Sequence, residues 1–379
     1  MQTTTVTWDP ATGWSQDLAG LSASACSTLV LAFVDPQCDA TVALEEIRTT
    51  LPDSCVLACS TAGQILANNV DPAPVVIAVV TFAQTTLRSG FVVRDGRESR
   101  ELGAVLGRQL GGDEPVAGVL VLGGGLHTNG SAMVAGLTSV LPAGTPVFGG
   151  LAADGPRFER TWVYCDGQRG EDCVAGVALL GESLELRHGT GAGWDGFGPV
   201  RTITRSTGNV LYELDGQPAL VLYREYLGDR ARDLPASALL FPLTVSSPDG
   251  STSVVRTVLA VDEADQSMTF AGDVPQGWNA RLMWTTSDNL MEGAAHAAET
   301  AAQTDAGLTL AVSCVGRRLV LGDRTEEELD CLSDVMGDSP IIGFYSYGEI
   351  TPVGGHCALH NQTMTVTTLF EREPDPSAR

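Results

Sequence analysis

A pattern of hydrophobic and polar positions recurs three times along the 379-residue chain. In each copy an apolar run predicts a buried strand, residues with helical spacing predict an amphipathic helix, and a second apolar run predicts a strand that ends in a tight turn. The copies run from Leu29–Val34 to Cys55–Cys59, from Gly118–Leu122 to Pro146–Gly149 and from Leu308–Ser313 to Ile341–Phe344. Each copy therefore predicts a parallel βαβ unit.

Strand-like segments of another kind follow each βαβ unit. Their apolar or alternating patterns predict antiparallel strands at Val75–Phe82, in a Trp162–Leu180 hairpin and at Thr363–Phe370. We therefore predict an α/β (α+β) fold with mixed β-sheets, built from repeated βαβ units with antiparallel extensions in two related domains. In the third unit, Thr325–Glu328 has the pattern of a capping box that opens a helix.

The segments between the second and third units place the predicted domain boundary near Leu214. Gln217 and Pro218 predict the start of a helix that Gly228 ends, and Ser287 opens an alanine-rich helix. The predicted organisation is an N-terminal segment at 1–25, a first domain at 26–214, a second domain at 215–370 and a disordered tail at 371–379.

The composition excludes several classes of function. All 22 basic residues are Arg, and 46 acidic residues give a net charge of −24. A surface this negative repels phosphate, so we expect no nucleic-acid partner. Because the chain has no Lys, chemistry that depends on a Schiff-base, pyridoxal-phosphate or P-loop lysine is excluded. No apolar run reaches the ~18 residues that span a bilayer, and Met1–Pro10 lacks the features of a signal peptide. We expect a cytoplasmic protein without a membrane partner.

The turns after the second strands are the clearest candidates for a functional site. Gly63 and Gly348 can adopt positive φ angles, which expose backbone N–H groups at the carboxyl end of a parallel strand. Ligands of open α/β sheets bind at that edge, and neighbouring hydroxyl, amide and carboxylate groups add polarity. Local hydrogen bonds that only close tight turns explain the same residues, so both interpretations stay open. In the second unit Ala152 and Asp154 replace the hydroxyl and the glycine, which predicts a weaker polar site or a different use.

The ligand-binding interpretation selects ten residues. They are Thr61, Gly63, Gln64, Cys314, Arg317, Tyr345, Ser346, Gly348, Glu349 and Asn361. Cys314 precedes Arg317 and Arg318, and two guanidinium groups that face the sulfur would stabilise a thiolate. A thiolate would favour a cysteine-dependent enzyme, whereas arginines that point to solvent would leave a core thiol. We predict no catalytic residue and keep the enzyme as an alternative.

Histidines provide the candidate cofactor ligands. His356 and His360 lie four residues apart with Cys357 between them, and His127 lies in a glycine-rich loop. Either His360 or His127 is a conceivable heme ligand, but ordinary turn and strand polarity explains the same positions. We predict no metal and no cofactor, with heme as the alternative.

One glycine-rich stretch matches a nucleotide-binding pattern. Gly191–Gly196 fits G-x-G-x-x-G, yet a Thr-rich strand rather than a helix follows it. A dinucleotide site needs that helix for its phosphates. We therefore predict an interdomain loop packed on Trp194 and Phe197.

Five stretches together resemble the FIST family, the F-box and intracellular signal transduction proteins. They are Ala58–Ile65, Val147–Gly155, Gly208–Gly228, Ser313–Arg317 and Gly343–Thr367. The last contains Tyr-Ser-Tyr-Gly-Glu-Ile-Thr-Pro and His-Asn-Gln-Thr-Met-Thr, and the C-terminal stretches are the more specific. The order and completeness of the five stretches carry the resemblance.

The resemblance implies paired FIST N-type and FIST C-type domains that act as a sensory input in bacterial signalling. It implies a small-molecule ligand such as an amino acid, although some relatives are heme-dependent nitric oxide sensors and eukaryotic relatives recruit substrates to ubiquitin ligases. We find no F-box, kinase, cyclase, chemoreceptor or helix-turn-helix segment in the sequence. We therefore expect the output partner to be a separate protein, such as a histidine kinase, a cyclase or a chemoreceptor.

Overall fold

The computed structural model describes residues 1–21, 27–303 and 305–372. The helices are α1 Thr41–Thr50, α2 Ser99–Leu110, α3 Gly130–Thr138, α4 Ala219–Leu227, α5 Ser287–Ala301, α6 Val315–Leu321 and α7 Thr325–Met336. Short 3-10 segments lie at Gly228–Asp233, Ala236–Leu240 and Gly322–Arg324. Within these ranges no helix has the length and apolar character needed to cross a membrane.

The strands fall into an N-terminal and a C-terminal group. The first group is β1 Gln2–Asp9, β2 Gly13–Trp14, β3 Ser27–Val34, β4 Cys55–Ser60, β5 Gln64–Leu66, β6 Asn69–Asp71, β7 Val75–Phe82, β8 Thr86–Val93, β9 Val116–Gly123, β10 Val147–Leu151, β11 Val163–Cys165, β12 Gln168–Gly170, β13 Cys173–Leu180 and β14 Leu184–Gly191. The second group is β15 Asp195–Thr207, β16 Val210–Leu214, β17 Gln217–Pro218, β18 Leu243–Ser246, β19 Ser253–Arg256, β20 Val258–Asp262, β21 Ser267–Phe270, β22 Asn279–Trp284, β23 Leu308–Cys314, β24 Ile341–Ser346, β25 Gly348–Val353, β26 His356–His360 and β27 Met364–Glu371.

These strands form four sheets. Sheet I has the order β12-β11-β4-β3-β7-β1-β2, sheet II β26-β25-β10-β9-β13-β8, and sheet III β14-β27-β23-β24-β5-β6. Sheet IV is antiparallel, with the order β19-β18-β22-β15-β16-β21-β20 and β17 beside β16. The fold is therefore mixed α/β, as predicted.

Sheets I, II and III each contain one of the predicted βαβ units. Their parallel pairs are β3–β4, β9–β10 and β23–β24, and each first strand also pairs antiparallel with the later β7, β13 or β27. The inner faces of the three sheets share one apolar core, in which the rings of Phe33 and Phe344 stack 4.7 Å apart. Helices cover the outer faces, which explains why the parallel strands are apolar on both sides.

The chain leaves each βαβ unit and enters a neighbouring sheet. After β4, strand β5 pairs with β24 of sheet III; after β24, strand β25 pairs with β10 of sheet II; after β10, strand β11 pairs with β4 of sheet I. This cyclic exchange of strands brings the three strand-end turns together at one junction.

Several local predictions need correction. The Trp162–Leu180 segment is not one hairpin, because β11 and β12 belong to sheet I and β13 to sheet II. Thr325 makes no capping box, since its hydroxyl donates to the carbonyl of Gly322 and Glu328 is buried. Gly228 does end α4, with a φ of 58°.

The ends of the chain are described in part. Glu371 is the last residue of β27 rather than part of the predicted tail. Its carboxylate also accepts the backbone N–H groups of Ala83 (2.7 Å) and Thr85 (2.8 Å). Residues 373–379 of that tail, and 22–25 of the predicted N-terminal segment, lie outside the described residues.

The first two glycines of the G-x-G-x-x-G stretch allow close packing on α5. Gly191 and Gly193 lie against the backbone of this helix, where an added Cβ would collide with the carbonyl oxygens of Gly293 and Asn289. Such contact requires residues without a side chain. The stretch leads from β14 through residues 192–194 into β15 rather than into a helix, and the indole of Trp194 donates to the carbonyl of Gln362.

Candidate functional site

Three turns meet where the sheets exchange strands: turn 1 (60–64), turn 2 (151–154) and turn 3 (346–349). The N–H of Ala62 donates to the Tyr345 carbonyl (2.8 Å), and the N–H of Tyr345 donates back to Gly63 (2.9 Å). The N–H of Ala153 donates to Ser60 (3.0 Å), which joins turn 2 to turn 1. Backbone hydrogen bonds thus fix the turns relative to one another, and side chains at the junction keep fixed positions.

The junction opens into a groove beside turn 1, which we call the Arg318 groove. It has a first lobe of about 410 Å³ along turn 1 and a second lobe of about 490 Å³ along α6 and α7. Both volumes are in the range of small-molecule sites. The two lobes share Ala62, Val70, Gly155, Pro156 and Arg318.

Arg318 is the half-buried cation between the lobes. Its guanidinium donates to the carbonyl of Ala62 and lies 5.5 Å from the centre of the Tyr345 ring. Gly63 makes this placement feasible, because an added Cβ would overlap the guanidinium and because its φ of 135° disfavours other residues. Among the described residues, no carboxylate lies within 4.0 Å of Arg318. Most of its five N–H donors are therefore available to a ligand.

Gln64 adds a second donor to the first lobe. Its side chain is only 5% exposed, and its Nε2 has no hydrogen-bond partner among the described residues. A buried amide without a partner costs free energy unless something occupies it. Gln64 therefore lines the first lobe beside Arg318, with a buried amide nitrogen that lacks a partner among the described residues.

Two carboxylates line the same lobe. Asp35 accepts the N–H of Gln37 (2.8 Å) and Asp71 accepts the N–H of Ala73 (2.8 Å), each through a single oxygen. Neither has an ion-pair partner within the described ranges. The first lobe consequently combines anion-binding donors with cation-binding acceptors.

Turn 2 supplies the wall of the groove rather than a ligand contact. The Asp154 carboxylate is buried and accepts the N–H groups of Phe158 (3.1 Å), Glu159 (2.8 Å) and Arg160 (2.9 Å), as well as the hydroxyl of Tyr347. Burial and the nearby Asp154 charge raise the pKa of Tyr347, which keeps its hydroxyl protonated as a donor. These contacts fix the loop that carries Gly155 and Pro156 into both lobes.

The predicted site residues separate into two groups. Thr61, Gly63 and Gln64 line the first lobe, and Tyr345 lies below Arg318. Ser346, Gly348, Glu349 and Asn361 instead surround the fully buried turn 3, away from the groove. The positive φ expected at Gly348 is wrong, because this residue begins β25; a Cβ there would crowd Leu359.

Glu349 is enclosed by protein donors. Its carboxylate accepts the hydroxyl of Ser346 (2.7 Å) and both the N–H (3.1 Å) and the hydroxyl (2.9 Å) of Thr363. Burial raises the pKa of Glu349 to about 7, although these hydrogen bonds and the charge of Arg317 oppose the rise. Asn361, its neighbour at turn 3, donates to the carbonyl of Tyr347 (3.0 Å).

Arg317 points the other way from Arg318 and is fully buried. Its Nε donates to Glu328 (2.7 Å), and its Nη2 donates to the carbonyl of Leu290 (2.7 Å). Glu328 also accepts the hydroxyls of Ser313 (3.2 Å) and Tyr345 (3.1 Å). This network ties α5, α6 and α7 to sheet III, so Arg317 is a structural residue in this fold.

The Cys314 thiol is not activated by its arginine neighbours. It is fully buried, and burial together with the nearby Glu349 raises its pKa, so the thiolate is disfavoured. Because Arg317 is paired with Glu328, its charge does not compensate. The alternative of a cysteine-dependent enzyme therefore has no support from the surroundings of Cys314.

The candidate heme ligands lie away from the groove. His127 is exposed in the loop after β9, and its carbonyl accepts Nη2 of Arg94 (2.8 Å). Burial, with a smaller contribution from Arg256, lowers the pKa of His360 to about 4, so its imidazole is neutral. Neither residue lines either lobe. Their placement gives no support to heme binding.

Comparison with known proteins places this architecture in a family. The model of the FIST N domain matches residues 28–217, and the model of the FIST C domain matches residues 219–352. This chain belongs to the FIST family. FIST domains are associated with sensing in signal transduction.

Similar sequences occur in bacteria and in an archaeon. The chain is 27% identical to the uncharacterized protein Rv0628c of Mycobacterium tuberculosis, over 62% of this chain and 63% of that protein. It is 25% identical to the uncharacterized protein Mb0898c of Mycobacterium bovis, over 60% and 61% of the two chains, and 25% identical to the uncharacterized protein MJ1623 of Methanocaldococcus jannaschii, over 60% and 49%. The chain thus spans less than two thirds of the length of the curated relatives it matches.

Sequence reasoning missed several residues that shape the site of this FIST protein. The sequence shows Arg318 only as a neighbour of Cys314. Consecutive residues of a helix are rotated by about 100°, so one of two adjacent arginines points inward and the other outward. The sequence pattern predicts a capping role for Glu328, and it shows Asp154 only as the residue that stands where the other two turns carry a glycine. The surrounding apolar stripe of α7 was the signal that could have placed Glu328 inside, since it lies one position before Leu329 and four before Leu332.

Proposed function

We propose that this FIST protein is a sensory module that binds a small polar metabolite in the Arg318 groove. The observation that carries the proposal is the half-buried Arg318 guanidinium, which has no carboxylate partner among the described residues and lies in a groove that Gln64 also lines. Such donors suit a carboxylate or another oxyanion, because charge-assisted hydrogen bonds are stronger than neutral ones.

The opposite side of the first lobe suits a cation. Asp35 and Asp71 each use one carboxylate oxygen for a backbone hydrogen bond, and both residues line the lobe. A ligand with a carboxylate and an ammonium group would satisfy both sides at once. An amino acid is therefore the ligand class that we propose.

The remaining parts of the proposal concern the cellular role. The signal would pass to a separate protein, such as a histidine kinase, a cyclase or a chemoreceptor, in the cytoplasm and without a bound cofactor. The fixed geometry of the junction supports this role, because a ligand that contacts turn 1 also contacts α6 through Arg318. Binding can then alter the exposed surface of α6, where Leu319 is 39% exposed.

A thermal-shift screen tests the proposal. A panel of amino acids and organic acids is added to the purified protein, and a ligand at 100 times its Kd should stabilise the fold by about 2.7 kcal/mol. Gln64→Leu should keep or raise the melting temperature without ligand, because it removes an unsatisfied buried amide. It should weaken ligand binding roughly 2- to 10-fold.

Gln217→Leu is the matched control, because Gln217 is exposed and distant from the groove. This variant should bind as the wild type does. If no compound shifts the melting temperature at millimolar concentration, or if Gln64→Leu binds as tightly as the control, the proposed site is wrong.

A further inference from the structure

We propose that the second lobe selects a ligand with a positively charged side chain, which makes a basic amino acid the preferred ligand. This inference rests on the proposed function, because it assigns the second lobe once the first holds the α-carboxylate and α-ammonium groups. The two lobes meet at Arg318, so a ligand whose carboxylate binds there can extend its side chain along α6 and α7.

Two acidic residues line the second lobe. They are Asp323, in the corner between α6 and α7, and Glu326, in the first turn of α7. Neither carboxylate has an ion-pair partner within 4.0 Å among the described residues. Arg324 lies between them in the sequence but does not pair with them, because it pairs with Glu327 (2.8 Å) and Asp288 (3.1 Å). The lobe therefore contains two carboxylates that are not in ion pairs among the described residues.

Apolar side chains also line the second lobe. They are Val70, Val315 and Leu319, and Leu319 is one of the exposed large apolar side chains of the fold. Lysine and arginine bury their methylene groups on apolar surface while the charged end stays near water. A basic side chain would thus cover Leu319 and bring its charge to Asp323 and Glu326.

Other side chains satisfy fewer of these features. A leucine side chain would cover Leu319 but leave the carboxylates of Asp323 and Glu326 without a partner. A glutamate side chain would place a like charge beside Asp323 and Glu326, which is unfavourable. A diamine without a carboxylate would leave Arg318 and Gln64 unsatisfied. The arrangement of donor, apolar and acidic surfaces fits a basic amino acid best.

Calorimetric titration of the full chain with L-lysine, L-arginine, L-leucine, L-glutamate and cadaverine tests this inference. We expect lysine or arginine to bind at least about 10-fold more tightly than leucine, with glutamate and cadaverine weaker still. Glu326→Gln should reduce the affinity for the basic ligand roughly 2- to 5-fold and leave leucine unchanged, as expected for a partly exposed ion pair. Glu327→Gln is the matched control, because Glu327 is adjacent in sequence but pairs with Arg324 outside the lobe.

The outcomes distinguish this inference from the proposed function. If leucine or glutamate binds as tightly as lysine, the second lobe does not select charge, although the proposed function stands. If cadaverine binds as tightly as lysine, or if Glu327→Gln has the same effect as Glu326→Gln, general attraction to an acidic protein explains the result and the inference is overturned. If none of the amino acids binds, both proposals fail.

Discussion

Gln64 and Glu349 occupy equivalent places in the first and third βαβ units, yet the fold gives them different surroundings. Gln64 lines the first lobe and has an unsatisfied Nε2, whereas Glu349 is enclosed by Ser346 and Thr363. The sequence predicted the positions of both turns because the repeat is local, although the positive φ expected at Gly348 is absent. It could not predict which turn opens to solvent, because β25 and β26 cover turn 3 only after the chain has crossed into sheet II.

The raised pKa of Glu349 predicts a pH dependence of stability. Folding raises this pKa from 4.5 to about 7, so the stabilising contribution is fully present below about pH 4.5 and is lost as the pH rises through 7. The Glu349→Gln variant has no carboxyl group at this position, so its free energy of unfolding should not fall in this way as the pH rises. Relative to wild type, the variant should therefore gain on the order of 3 kcal/mol between about pH 4.5 and about pH 8.

Urea unfolding of both proteins at several pH values measures this difference. A difference in unfolding free energy that stays constant with pH would contradict the account of Glu349. If Glu349→Gln strongly weakened ligand binding without changing stability, Glu349 would instead belong to the ligand site.

At the scale of elements, the buried contacts of α7 decide its role. The three glutamates at its start look alike in the sequence, but Glu326 lines the groove, Glu327 is exposed and Glu328 is buried against Arg317. Strand and helix positions were predictable because apolar periodicity is a local signal. The orientation of each glutamate was not, because it depends on β23, β24 and α5 packing around the helix.

Removing the charge of Glu328 should destabilise the fold strongly. Glu328→Gln leaves the Arg317 guanidinium buried without its counter-charge, which typically costs about 3–5 kcal/mol. Glu327→Gln, on the exposed side of the same turn, should change stability little. Chemical denaturation of both variants checks this expectation. Equal midpoints for Glu328→Gln and wild type would show that the pair is not what holds α6 and α7.

At the scale of the whole molecule, the two FIST domains are interlocked. Strands β5, β6 and β14 of the N-terminal half complete sheet III, and strands β25 and β26 of the C-terminal half complete sheet II. The predicted boundary near Leu214 stays a prediction, and the sheets themselves extend across it. Sequence patterns revealed three similar units but not their cyclic exchange, since β5 and its partner β24 lie more than 270 positions apart in the chain.

This exchange also explains why one junction can carry a site. At turn 2, the loop that is held by hydrogen bonds to the Asp154 carboxylate occupies the space beside the turn. At turn 3, the β25–β26 hairpin covers the turn. Turn 1 borders the open groove, where Arg318 reaches from the third unit to the first. The candidate site therefore depends on residues from both FIST domains, which single-segment reasoning could not bring together.

The most direct test of the account is calorimetric titration of L-lysine and L-leucine into wild type, Arg318→Gln and the control Arg160→Gln. Arg160 is exposed, pairs with Glu171 and does not line the groove. Loss of a charge-assisted hydrogen bond worth about 1.5–3 kcal/mol predicts a roughly 10- to 150-fold weaker affinity for both ligands in Arg318→Gln, with wild-type affinity in Arg160→Gln. Wild-type affinity in a folded Arg318→Gln protein would contradict the central claim that the groove binds its ligand through Arg318.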